Sequence, residues 1–103
     1  MVNIEKISEE AMKIITFSGM AKSSYMEALK AYKTKSIDEA EKMLVEGDRW
    51  AGEAHGVHSK ILTEEMQTLT PQISLLLTHG EDQLMSAETI RILVTELKEL
   101  YIR

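Results

Sequence analysis

The sequence has no cysteine, and it has only one proline and five glycines among its 103 residues. Without thiols the chain can form neither a disulfide framework nor a thiolate zinc site. No apolar run approaches the ~20 residues that a membrane span requires. The segment Met1–Lys6 also lacks the basic start and apolar core of a signal peptide. We therefore expect a soluble, cytoplasmic protein that does not insert into the membrane.

Positive charge is also scarce, because 12 lysines and arginines face 17 acidic residues and give a formal net charge of -5. A negative chain is repelled by nucleic-acid phosphates and by anionic lipid, so neither is an expected partner. The length fits one domain, residues 1–103. A domain of this size is marginally stable alone, and oligomerisation would relieve that.

The apolar residues recur at steps of three and four, a pattern that predicts three long α-helices. We expect the first from Asn3 to Tyr32 and the second from Ile37 to about Leu69. The third should begin between Pro71 and Ser74 and run to the C-terminus. The main apolar rows are Ile4, Ile7, Ala11, Ile14, Ser18, Ala21, Tyr25, Ala28 and Tyr32 in the first helix, Ala40, Leu44, Gly47, Ala51, Ala54, His58 and Ile61 in the second, and Ile73, Leu76, Gly80, Gln83, Ala87, Ile90, Val94, Leu97 and Tyr101 in the third.

The helix boundaries have their own signals. The basic turn Lys33–Lys35 suits a helix C-terminus, and Ser36 with Glu39 fits a capping box that begins the second helix. Thr70-Pro71 ends that helix, because a residue before proline is pushed away from helical angles. Short turns between three long helices predict an all-α fold, an antiparallel up-down-up three-helix bundle. Each helix also carries a second, partly apolar row, so we expect bundles to pack as a homo-oligomer, either a dimer or a trimer.

His79 is the residue most suited to chemistry. Spacings of three and four place His79, Asp82, Gln83 and Ser86 together as a polar patch on the third helix. An imidazole can act as a base, a metal ligand or a nucleophile near neutral pH. On spacing alone, an ordinary packed or surface histidine is the more frequent outcome.

His55 and His58 are the other two histidines, and they lie three residues apart as a pair of metal ligands would. No third ligand accompanies them, so we interpret them as structural or exposed residues.

Three segments carry a resemblance to a known family. Phe17–Leu29, Glu53-Ala54-His55 and Ser74–Met85 resemble motifs of the lactose/cellobiose-type enzyme IIA components of the sugar phosphotransferase system. The third segment is similar to that family's signature Ser-Leu-Leu-Leu-Val-His-Ala-Gln-Asp-His-Leu-Met. The match extends over nearly the whole chain.

The resemblance implies a homotrimer that works as a phosphohistidine carrier, a phosphotransferase component rather than a complete enzyme. His79 would accept a phosphoryl group from the phosphocarrier protein HPr. It would pass the group to a cysteine of enzyme IIB during uptake and phosphorylation of a disaccharide. Asp82 would correspond to the family's buried aspartate, which can bind a divalent metal on the trimer axis. Three converging carboxylates repel, so they need either a cation or raised pKa values, and the first of these predicts a Mg²⁺ site there.

Neighbouring residues suit the same role. Gly19 and Gly80 have no side chains to block an approaching protein, and Gln83 and Ser86 can donate hydrogen bonds to phosphoryl oxygens. Two residues depart from the family signature: Gln83 replaces a second histidine, and Glu81 replaces glutamine. The change to Gln83 removes a side chain that can gain a positive charge, and the change to Glu81 adds a negative charge. Phosphoryl transfer could therefore be slower than in the family, or altered.

Two other functions stay open on the sequence. A histidine phosphotransfer domain of a two-component relay is also helical, but it usually has a lysine and a glycine shortly after its histidine, where this chain has Glu81-Asp82-Gln83. A non-catalytic trimeric helical adaptor would need no reactive histidine at all.

Overall fold

The computed structural model describes residues 3–103, and they form three α-helices and no strand. The expectation for the N-terminus lies partly outside this range, because it includes Met1 and Val2. The helices are α1 (Ile4–Lys33), α2 (Ile37–Thr68) and α3 (Leu75–Lys98). They form a rod of 54 × 18 × 18 Å. The predicted all-helical, three-helix fold is therefore confirmed.

The helix ends agree with the sequence except at two places. Ser36 precedes α2 as predicted, but its side chain caps no backbone N–H, so the capping box is wrong. The reason is that Ser36 N donates to Ala31 O, which ties the residue to the end of α1, and its hydroxyl lies 3.3 Å from that of Thr34. The third helix ends at Lys98 rather than at the C-terminus, and turns follow it to Tyr101.

The predicted inward face of α1 is confirmed. Every residue of its predicted row is buried except Ile4, which lies at the exposed first turn. This row packs against both other helices, whereas α2 and α3 make few contacts with each other. The row of α2 is also confirmed, with Ala51 and His58 half-buried. α1 is thus the central element of the bundle.

The predicted inward face of α3 is only partly right. Gly80, Ala87 and Val94 are buried as expected, but Ile73 is 72% exposed and Gln83 is only half-buried. The remaining inward positions are Leu77 and Leu84, each 3% exposed. The inward face of α3 is therefore rotated from the predicted one, since Leu77 and Leu84 take the place of Leu76 and Gln83.

Many large apolar side chains lie on the surface of the single chain. On α3 they include Met85, Ile92 and Leu93, which are 65%, 64% and 52% exposed. Within residues 3–103, no helix has the length and apolarity needed to cross a bilayer.

Candidate functional site

The candidate site is built on the second turn of α3, where His79 is exposed. The helix starts at a firm cap, because Ser74 Oγ accepts a hydrogen bond from Leu77 N at 3.0 Å. This cap satisfies one of the free N–H groups of the first turn. His79 is therefore held on a regular helix rather than on a loop.

Gly80 fixes the direction in which His79 points. It is buried against α1, and a Cβ added to it would lie 3.3 Å from Ala11 O and 3.4 Å from the Ile14 side chain. Successive helical residues are turned by about 100°, so His79 lies beside this contact and not in it. The prediction that Gly80 leaves room for a docking protein is wrong, because its missing side chain makes room for α1.

Lys22 on α1 and Gln83 on α3 meet where these two helices pack. We call this place the α1–α3 contact and define it by these two residues together with Gly19 on α1. The Lys22 ammonium donates a hydrogen bond to Gln83 Oε1, and both residues are half-buried. Gly19 lies one turn before Lys22, and the space where a Cβ would project from it is open. His79 lies one turn before Gln83 on the same face of α3, so it borders the α1–α3 contact.

Ser86 and Asp82 take different positions around α3. Ser86 follows His79 by two turns on the same face and is half-buried. Asp82 is exposed on the opposite side from Leu77 and Leu84, and it forms no salt bridge with any residue of the described chain. The predicted patch thus combines two exposed residues, His79 and Asp82, with two half-buried ones, Gln83 and Ser86.

A single chain offers no ready metal site. Among residues 3–103, no three His, Asp or Glu side chains are grouped so that they could hold a metal ion. Asp82 alone supplies one carboxylate, whereas Mg²⁺ prefers six oxygen ligands.

The other two histidines, on α2, each contact a glutamate of α3. His55 Nε2 lies 2.5 Å from Glu88 Oε1, and His58 Nε2 lies 3.0 Å from Glu81 Oε2. These pairs occupy the flank of α3 away from His79. The structural interpretation of the two histidines is therefore supported. The Glu81 carboxylate is directed to His58 rather than to the candidate acceptor.

A polar cluster that the sequence did not predict links all three helices. Tyr25 Oη donates to Asp48 Oδ1 at 2.8 Å, and Arg91 Nε donates to the same oxygen at 2.9 Å. Partial burial opposes ionisation of Asp48, but hydrogen bonds from Arg91 and Tyr25 lower the pKa of its carboxyl below the ordinary value. The cluster joins α2 to α3, which otherwise pack weakly, so its role is structural.

Lys22 is the residue near His79 that the sequence prediction left out of the site. The sequence contains one indication that Lys22 is unusual, because this lysine interrupts the second apolar row of α1. That row consists of Met12, Ile15, Gly19, Met26 and Leu29. A cation in such a row needs a polar partner, and Gln83 provides it.

Comparison with known proteins agrees with the resemblance seen in the sequence. Residues 9–102 match the model of the family described as the lactose/cellobiose-specific IIA subunit of the PTS system. The oligo-beta-mannoside-specific EIIA component of Bacillus subtilis is 31% identical over 102 residues, covering 97% of this chain and 93% of that protein. The lactose-specific EIIA component of Staphylococcus aureus is 30% identical and covers 99% of each chain.

Two solved structures share the fold. PtcA from S. mutans superposes with a TM-score of 0.92 at 31% identity, covering 99% of this chain and 100% of that one. The cellobiose-specific enzyme IIA from Bacillus anthracis gives a TM-score of 0.86 at 34% identity, covering 98% of this chain and 90% of that one. Both similarities extend over the whole bundle, and they favour neither the two-component phosphotransfer domain nor the adaptor. The chain belongs to the lactose/cellobiose-specific IIA subunits of the sugar phosphotransferase system, and it is a phosphotransfer component in sugar uptake.

Proposed function

We propose that His79 is the phosphoryl acceptor of this subunit in the cytoplasm. HPr is the donor, and a cysteine of enzyme IIB receives the group during uptake and phosphorylation of a disaccharide. One observation carries the assignment. His55 and His58 are each paired with a glutamate, whereas His79 is exposed and has no hydrogen-bond partner within residues 3–103. An imidazole that must react with two visiting proteins needs an exposed ring with a free nitrogen. His55 is also exposed, but its Nε2 lies against Glu88.

The chemistry requires little from the protein itself. A neutral ring nitrogen of His79 attacks phosphorus in line, and the new P–N bond forms as the bond from phosphorus to the donor breaks. The donor keeps that electron pair. In the second step a cysteine thiolate of enzyme IIB forms a P–S bond, and the P–N bond returns its electrons to the imidazole. Positioning supplies most of the rate, which suits an acceptor held on a capped helix.

The half-buried polar groups beside His79 have supporting roles in this proposal. The Gln83 amide and the Ser86 hydroxyl donate hydrogen bonds to the phosphoryl oxygens, and the open space at Gly19 admits the partner. Gly80 contributes by packing α3 on α1, which sets the direction of the imidazole.

We also propose the homotrimer. The outward face of α3 carries Asp82 together with the exposed Met85, Ile92 and Leu93, and a threefold axis along this face would cover them. Three Asp82 carboxylates would then meet, and they would hold a Mg²⁺ ion through oxygen ligands, the type this ion prefers. The ion would neutralise the three charges and stabilise the assembly.

The acceptor is tested by incubation with HPr that carries a radioactive phosphoryl group. We expect acid-labile, base-stable label on His79 in the peptide map. His79→Gln should lose all label, while His55→Gln and His58→Gln should keep it. Transfer is then tested by adding enzyme IIB, with a variant that lacks its cysteine as the control. Label on His55 or His58, or no label in the unsubstituted protein, would contradict the assignment.

A further inference from the structure

We infer that Lys22 is a phosphoryl-binding residue, which neutralises the phosphoryl group on His79 from the neighbouring α1–α3 contact and is positioned by Gln83. The inference rests on the proposed function of His79. It begins from the contact between the Lys22 ammonium and Gln83 Oε1. Gln83 lies one turn after His79, and long helical side chains lean towards the N-terminal end of their helix. The amide of Gln83, and the ammonium bound to it, are therefore drawn towards the turn that carries His79.

The hydrogen-bonding capacity of this pair suits an anion. An ammonium has three donors and no acceptor, so the amide oxygen of Gln83 must face Lys22 and its NH₂ group must face elsewhere. One donor of Lys22 is used by Gln83. Two donors of Lys22 and two of Gln83 are left without a partner among residues 3–103. A phosphoryl group has three oxygens that accept such charge-assisted bonds.

The charges around Lys22 distinguish it from the ion-paired lysines of the described chain. Lys6, Lys13, Lys30 and Lys60 each lie within 4 Å of a glutamate oxygen, whereas Lys22 is half-buried and has no carboxylate partner within residues 3–103. Neither acidic group on the nearest turn of α3 contacts Lys22, since Glu81 lies against His58 and Asp82 forms no salt bridge within residues 3–103. Partial burial of a cation without a counter-charge costs free energy. An arriving phosphoryl group would supply the missing charge.

The experiment compares Lys22→Met, Lys22→Arg and a matched control, Lys30→Met, which removes an exposed lysine of the same helix. The rate constant of transfer from phosphorylated HPr should fall about 100- to 1000-fold in Lys22→Met, the size expected when one donor to developing charge is removed. Lys22→Arg should recover most of the rate, and Lys30→Met should stay within about twofold of the original. Circular dichroism confirms that each variant is helical.

A spectroscopic readout separates phosphoryl binding from a structural role. In ³¹P NMR of the phosphorylated protein, the apparent pKa of the phosphoryl group should rise in Lys22→Met and return in Lys22→Arg, because a nearby cation favours the doubly charged form. An unchanged rate and an unchanged ³¹P titration in Lys22→Met would overturn the inference while His79 remains the acceptor. If His79 carries no label in the unsubstituted protein, both the inference and the proposed function are wrong.

Discussion

Tyr25 and Tyr32 lie seven residues apart on the buried row of α1, but their hydroxyl groups have different surroundings. Tyr25 Oη donates to Asp48, whereas the buried Tyr32 Oη makes no hydrogen bond with any residue of the described chain. Burial, and to a smaller degree the nearby Glu41, raise the pKa of Tyr32 to about 12. Two identical side chains on one face of one helix therefore contribute differently to stability.

These tyrosines give a matched pair of substitutions. Tyr25→Phe removes a donor from the Asp48 cluster and should lower the free energy of unfolding by about 1 kcal/mol, the usual contribution of one hydrogen bond. Tyr32→Phe removes a buried hydroxyl without a partner, so the free energy of unfolding should stay the same or rise by up to about 1 kcal/mol. Urea unfolding followed by circular dichroism measures both. Equal losses in the two variants would contradict the assigned hydrogen bonds.

The role of a residue could be predicted from the sequence where a motif surrounds that residue. It could not be predicted where the role depends on a contact with a residue far away in the chain. The motif around His79 selected one of three histidines, and that histidine is the unpaired one. The role of Lys22 needed the relative position of α1 and α3, because its partner is 61 residues away in the chain.

At the scale of the helix, Gly47 marks a close contact between α2 and α1. A Cβ built on it would lie 2.5 Å from Tyr25 Cδ1, and the ring itself is buried in the core. Gly52 lies further along the same helix, is exposed, and has open space where a Cβ would project. The first glycine is required by packing, and the second is not.

Alanine at these two positions should therefore have opposite effects. Gly47→Ala should lower the free energy of unfolding by about 1–3 kcal/mol, because the buried ring must shift to accept a methyl group. Gly52→Ala should raise it by up to about 1 kcal/mol, the difference in helix propensity at an exposed position. Thermal unfolding of the two variants beside the original protein is the measurement. Stabilisation by Gly47→Ala would show that Tyr25 is free to move.

The helices themselves were predictable because long periodic rows, few breakers and clear ends coincide in this chain. The side of α3 that faces the core could not be predicted from the sequence. Apolar residues are contiguous at Leu75–Leu77 and near Ile90, so neighbouring rows fit the same periodicity. The choice between Leu76 and Leu77 depends on how closely Gly80 packs on α1, and a single helix does not contain that information.

At the scale of the whole molecule, the proposed trimer places its interface on the outward face of α3. Ile92 is 64% exposed on this face, while Val45 on α2 is 70% exposed. The proposed trimer would bury Ile92 and leave Val45 exposed. An interface of this kind loses much of its affinity when a charge is placed in its apolar centre without a partner.

Ile92→Glu should convert the trimer to a monomer, and Val45→Glu should leave the trimer intact. Sedimentation equilibrium should give three times the chain mass of 11.7 kDa for the original protein and for Val45→Glu, and one chain mass for Ile92→Glu. A monomeric original protein, or an Ile92→Glu variant that stays trimeric, would contradict the proposed assembly.

The central place of α1 has a consequence for how the protein is made. α1 is translated before the two helices that pack on it, and most of its row is buried in the finished molecule. One side of that row has no neighbour until α3 has left the ribosome. The nascent chain therefore presents an uncovered apolar stripe throughout synthesis, and the bundle is completed only after its last helix has been translated.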